Sequence, residues 1–151
     1  MRTRILVVSA AAAALTLTGL IGSPALAAAG LTPPPSVDGA GERFYDDGDT
    51  TTASLTGLSA NTDYYVGLCS NTNYPLGIPA CTSFIPITTD GSGAATAVVA
   101  LENNGGNAHT GAPGQPSTVN CTAADSCAVK VASHGSVPAI VDQSVSFKVN
   151  P

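Results

Sequence analysis

Apolar and polar positions trade places every second residue through much of this chain, and nowhere recur with the spacing of an amphipathic helix. The plainest case is Ser144-Val145-Ser146-Phe147-Lys148-Val149, which predicts a strand with Val145, Phe147 and Val149 on one face. The β-branched run Thr50 to Leu55, entered from Asp47-Gly48-Asp49, predicts another, and Tyr64 to Cys69 a third. Phe84 to Thr88 reads as a short strand whose Pro86 suits a sheet edge or a bulge. Ala94 to Leu101 and Cys127 to Ala132 follow the same pattern. With an N-terminal strand near Ser36 and Val37, the count is about seven, that of an immunoglobulin-like sandwich. Glycine and proline punctuate the junctions, and the fold class is all-β.

The first segment is different in kind. Arg2 and Arg4 precede an apolar stretch from Ile5 to Ile21, and Pro24-Ala25-Leu26-Ala27 supplies the small residues that a signal peptidase reads. Residues 1–27 are therefore read as a secretory signal peptide and 28–151 as one folded domain. A transmembrane anchor would need about 20 apolar residues and no processing site. The expected location is secreted, without membrane attachment.

Export changes the reading of the cysteines. Four in a small exported domain, Cys69, Cys81, Cys121 and Cys127, point to disulfides rather than a metal site. Zinc would ask for Cys-x-x-Cys or Cys/His clusters, which do not occur. Four cysteines allow three pairings, and sequence alone does not choose among them. Sequential pairing, Cys69 with Cys81 and Cys121 with Cys127, is favoured because each closes a short loop rich in turn formers. Each such closure stabilises by about 2–3 kcal/mol.

Charge narrows the partners. Outside the leader the chain has Arg43, Lys130 and Lys148 against ten carboxylates. Such a surface repels a phosphate backbone, so no direct nucleic-acid contact is expected. Asp46-Asp47-Gly48-Asp49 lacks the spacing of a calcium loop and reads as a solvated turn. His109 and Ser133-His134 are not framed by any nucleophile elbow, so no enzyme is read here, and the histidines are taken as surface or loop residues. Tyr64, after Gly57-Leu58-Ser59-Ala60-Asn61-Thr62-Asp63, has the setting of a tyrosine corner, whose hydroxyl returns to upstream backbone. The stretch Asn103 to Gln115 lacks strand formers and is either a binding segment or a loose connector.

Several runs together resemble the neocarzinostatin family. Gly57-Leu58-x-Ala60-x-Thr62-x-Tyr64-x-Val66-Gly67-x-Cys69 is similar to the strand pair leading to the first family cysteine, and Ala80-Cys81 to the second. Thr88-x-Asp90-x-x-Gly93 resembles the next turn, Thr118-Val119-x-Cys121-Thr122-x-Ala124-x-x-Cys127 the second disulfide loop, and Val145-Ser146-Phe147 the last strand. The likeness runs from about Gly57 to the C-terminus.

The resemblance implies a seven-stranded immunoglobulin-like sandwich with a small β-ribbon subdomain and two local disulfides. It also implies a cleft holding an enediyne antibiotic chromophore noncovalently, which damages DNA once released. The implied role is a secreted, monomeric carrier, with no other cofactor and no metal. The implied cleft lining is Asn71, Pro79, Phe84, His109, Ala128 and Ser133, with Phe84 as its apolar wall. The chain departs from the family pattern here. Asn71 stands where an aromatic is often found, the Asn103 to Gln115 loop has no phenylalanine, Ala128 replaces a polar residue, and tryptophan is absent. A ligandless secreted immunoglobulin-like module for adhesion or protein recognition is the alternative. A secreted inhibitor presenting a disulfide-braced loop stands third.

Overall fold

The alternation seen in the sequence becomes burial in three dimensions. In the computed structural model, which describes residues 27–135 and 138–151, Thr51, Ala53 and Leu55 turn inward while Ser54 and Thr56 face solvent. The leader read at 1–27 lies outside the described residues except for Ala27. In chain order the strands are β1 (Ala27–Thr32), β2 (Ser36–Val37), β3 (Arg43–Asp46), β4 (Thr50–Thr56), β5 (Asp63–Ser70) and β6 (Ile85–Thr88). They continue as β7 (Ala95–Ala100), β8 (Asn104–Gly106), β9 (Thr118–Asn120), β10 (Cys127–Ser133), β11 (Ile140–Gln143) and β12 (Lys148–Asn150). A single 3-10 turn, Pro75–Gly77, interrupts the β pattern among the described residues.

Two principal sheets, β1-β4-β7 and β11-β10-β5-β6, supply the seven strands of the sandwich. Their inner faces meet through Ala53, Leu55 and Val99 on one side and Val66, Leu68, Val129 and Val131 on the other, all buried. Phe147 fills the centre without exposed surface, its ring edge-on to Tyr45 at 5.0 Å between centroids. Tyr45 in turn donates its hydroxyl to the Pro33 carbonyl at 2.7 Å, tying the β1–β2 connection to the core. A short sheet, β12-β3-β2, closes one side, and β8 with β9 forms a separate two-stranded ribbon. Both disulfides are sequential, Cys69–Cys81 and Cys121–Cys127.

Three expectations are corrected. The N-terminal sandwich strand is β1, paired antiparallel to β4, whereas Ser36 and Val37 form only a two-residue strand against β3. The small residues of β1 carry little β propensity, and the open edge of β4 recruits them by backbone pairing. Val145 does not share the inward face of Phe147 and Val149, being 44% exposed. Ser144 is buried instead, because its Oγ accepts the Val129 N–H at 3.1 Å while its own N–H donates to the Val129 carbonyl. Satisfying that buried backbone donor interrupts the alternation, and β12 begins only at Lys148. The stretch Asn103 to Gln115 contains β8, so it is partly a ribbon strand. Asp46 to Asp49 does form the expected turn, with the Asp49 N–H donating to the Asp46 carbonyl at 3.1 Å.

Tyr64 is the expected corner. It is 7% exposed, and its hydroxyl accepts the Ser59 N–H at 3.2 Å. Tyr64→Phe therefore strands a donor, and because Ser59 is exposed, water can take the vacated place. The expected loss is about 1 kcal/mol, at the low end for a stranded group. An unchanged chemical-denaturation midpoint would remove the corner from the account.

Asp142 has an unusual setting. It is 9% exposed, with Oδ2 lacking a partner and Oδ1 accepting the Gln143 N–H at 2.8 Å. Burial pushes its carboxyl above the ordinary carboxylate range, and the Gln143 hydrogen bond only partly opposes this. A carboxyl with a raised folded-state pKa contributes stability while protonated, below its unfolded value near 4, and loses it as pH rises through the folded value. Asp142→Asn is expected to raise the Tm at pH 7, with the gain vanishing below about pH 4. An equal gain at both pH values would exclude buried charge as the cause.

Candidate ligand-binding cleft

Side chains alternate across a strand, so the residues of β5 and β10 that miss the core emerge together on the outer face. On β5 these are Tyr65, Gly67 and Cys69, in register with Ala132, Lys130 and Ala128 of β10. Gly67 is a spatial requirement. A methyl there would overlap the carbonyl oxygen of Ser83, which is backbone and cannot step aside. The absent side chain lets the chain cross over the sheet at Ser83 and deliver Phe84 beside Tyr65.

The segment between the first two cysteines is strapped down at several points. Cys69 and Cys81 are joined with their Cα atoms 4.0 Å apart. Flanking them, the Ser70 N–H donates to the Ala80 carbonyl at 2.8 Å and the Thr82 N–H to the Leu68 carbonyl at 2.9 Å. Asn107, only 4% exposed, holds the opposite side. Its Oδ1 accepts from the backbone N–H of Cys81 at 3.2 Å and of His109 at 3.0 Å. Its Nδ2 donates to Gln115 Oε1 at 3.0 Å and the Pro116 carbonyl at 2.8 Å. Every hydrogen-bonding position of that amide is used. Gln115 Nε2 adds a bond to the Ile78 carbonyl at 2.7 Å. The Asn103 to Gln115 stretch is thereby a brace on the disulfide loop rather than a loose connector.

Two features mark this face, linked through Pro79. The first is a row of rings. His134 stacks on Tyr65 at 4.9 Å, Tyr65 meets Phe84 edge-on at 5.8 Å, and Phe84 lies tilted on His109 at 4.5 Å. His109 Nδ1 sits 3.1 Å from the Pro79 carbonyl, an acceptor only, so Nδ1 carries the proton. The second is a cavity of about 180 Å³ between the disulfide loop and the sheet. Thr72, Asn73, Tyr74, Gly77, Ile78 and Pro79 form one wall, and Lys130, Ile140 and Gln143 the other. Lys130 is half-buried, and burial pushes its ammonium below the usual lysine range.

Of the residues expected to line a cleft, Pro79, Phe84 and His109 are brought together. Ala128 lies on the same face but is wholly covered beside Cys69, so its methyl is unavailable for contact. Ser133 is in register with Tyr64, whose ring is in the core, and its Oγ accepts the Ala139 N–H at 3.1 Å. It therefore takes the opposite parity from Lys130. Asn71 joins the two disulfide loops, its Nδ2 donating to the Asp125 carbonyl at 2.8 Å and Ser146 Oγ at 3.0 Å. It works as a tie between them and is not part of the cavity wall. Sequence reasoning missed Tyr65, Tyr74, Lys130 and Gln143, and set His134 aside. The parity of Tyr65, two residues before Gly67 and four before Cys69, was the available signal for one of these.

A larger depression of about 560 Å³ lies among Asp47, Gly48, Glu102, Asn103, Asn104, Gly105 and Pro151. Its lining has two carboxylates and no aromatic ring, so it offers no stacking surface for a flat ligand.

Comparison with known proteins agrees with this architecture. The model of the neocarzinostatin family matches residues 44–147. Among solved structures, macromomycin is 30% identical, covering 79% of this chain and 96% of its own, with a TM-score of 0.55. The solution structure of apokedarcidin is 22% identical, covering 80% of this chain and 96% of its own, with a TM-score of 0.47. No curated protein sequence matches the chain. By a family match over more than half its length, and by its likeness to macromomycin, the chain belongs to the neocarzinostatin family.

Proposed function

We propose that this protein is a secreted carrier, without enzymatic activity, that holds a small aromatic chromophore of the enediyne type noncovalently and shields it until release. Any damage to DNA is then done by the released chromophore, and the acidic polypeptide itself avoids nucleic acid. The observation that carries the reading is the row Tyr65, Phe84 and His109 beside a braced cavity on the outer face of β5 and β10. Aromatic faces give a flat ligand both buried area and stacking. A loop held by a disulfide and by Asn107 is preformed, so little ordering entropy is lost on binding. With both cysteine pairs oxidised, no thiolate is available to attack a reactive cargo. The leader at 1–27 and the disulfides support export.

One observation favours the alternative, a ligandless secreted immunoglobulin-like module. The rings of the row already stack on one another, and Ala128 is fully covered. Titration with 2-naphthamide, a neutral flat bicyclic, separates the two readings. The carrier reading expects amide NMR shifts at Tyr65, Phe84, His109 and along Cys127 to Ser133. Phe84→Ala is expected to weaken binding by about tenfold through lost stacking and buried area. An absence of shifts across that face favours the ligandless module.

A further inference from the structure

Lys130 is placed unlike either of the other two cations outside the leader. Lys148 is neutralised by Glu42 at 2.6 Å and Asp38 at 3.5 Å, and Arg43 is exposed. Lys130 rises from the outer face of β10 between two buried alanines, Ala128 and Ala132, and opposite Gly67. Its small neighbours on β5 and β10 leave it unscreened on that side, and with Gln143, its register partner on β11, it lines the 180 Å³ cavity.

The protein itself gives it little to bond to. Nζ donates to the Ser70 carbonyl at 2.9 Å, an uncharged acceptor. An ammonium has three N–H donors, and among the described residues no other acceptor and no carboxylate lies within bonding distance of Nζ. Ten carboxylates are distributed over the chain, yet none is paired with this cation. The more a charge is withdrawn from water the more it gains from a counter-ion, and Lys130, half withdrawn, has none from the protein among the described residues.

We infer that the cleft takes an aromatic ligand bearing an acidic group, a carboxylate or an acidic phenol, and that Lys130 is the counter-ion of that group. The inference rests on the carrier reading and deepens it by naming the chemistry of the cargo. The cavity is smaller than the roughly 300 Å³ at which sites for drug-sized ligands begin, so it accommodates one substituted ring system. Gln143, in register with Lys130, and Tyr74 line the same cavity, and both carry donors suited to the second oxygen of a carboxylate. The net negative charge of the protein works against any anion at long range. Selectivity for an acidic ligand must therefore come from the local contact, which salt screens less than the surface field.

Two isosteric probes test this on the intact protein: 2-naphthoate and 2-naphthamide, compared by calorimetry and by NMR of the Lys130 side chain. The expected result is at least about tenfold tighter binding of the naphthoate, the scale of one charge-assisted hydrogen bond. A shift of the Lys130 Cε and Nζ signals should accompany it. Lys130→Met should equalise the two probes, and Lys130→Arg should keep the preference for the acid. Equal affinities in the unmodified protein, or a preference that survives Lys130→Met, overturn the inference and leave the carrier reading standing. Failure of both probes to bind overturns the carrier reading and the inference with it. The wild-type comparison and the side-chain shift decide the matter even where a variant does not fold.

Discussion

From Cys127 opposite Ser70 to Ser133 opposite Tyr64, β5 and β10 run in unbroken antiparallel register, and both faces of that ladder are committed. Inward it presents Val66, Leu68, Val129 and Val131 to the sandwich core. Outward it presents Tyr65, Gly67, Lys130 and Ala132 to the cleft. A slip of one residue would exchange the two sets, burying the lysine charge in the core and exposing the valines. Core packing therefore enforces the cleft. The same hydrophobic term that stabilises the domain holds Lys130 on the face where the disulfide loop lies opposite it and Tyr65 on the face where Phe84 and His134 meet it.

That loop is rigid for reasons independent of the core. A disulfide at its base limits the separation of its ends, but it does not by itself set where the middle lies. Gln115 does that through its bond to the Ile78 carbonyl, and Asn107 holds Gln115 in place while its amide bonds to backbone at Cys81 and on the ribbon-side segment. Four hydrogen bonds on a buried amide leave no partial alternative: losing one strands a polar group in a dry site. The ribbon β8–β9 and the disulfide loop consequently behave as one unit laid against the outer face of β5.

Electrostatics gives the cleft a character opposite to that of the surface around it. Among the surface carboxylates, Asp38 is held in a turn by the Glu42 and Ala40 N–H groups and Asp90 by the Ser92 hydroxyl and the Ala94 and Ser92 N–H groups, contacts that lower their pKa values. Lys148 is matched by Asp38 and Glu42. The ammonium of Lys130 is left with a single carbonyl, in an environment that disfavours its charge. An acidic protein with one poorly matched cation inside a cavity has a strongly local positive site and a weak field beyond it.

Much of this was legible in the chain. Period-two patterning reports which residues can share a face, so the framework strands β4, β5, β7 and β10 follow from it. Local cysteine pairs spanning turn formers gave the pairing, and the Gly57 to Tyr64 segment gave the corner, because both depend on neighbours close in the chain. The rest was decided by contacts between distant residues. Ala27 to Thr32 becomes a strand because β4 offers an open edge, a fact no local propensity encodes. Ser144 displaces Val145 from the interior because a buried N–H on Val129 needs an acceptor. Asn71 and Ser133 sit near the cleft in sequence, yet one ties two loops together and the other lies on the opposite parity. Asn107 becomes a brace and Lys130 an unmatched cation only when the fold sets their surroundings. Alternation specifies which face a side chain takes; what waits on that face is set by chain segments that arrive from elsewhere.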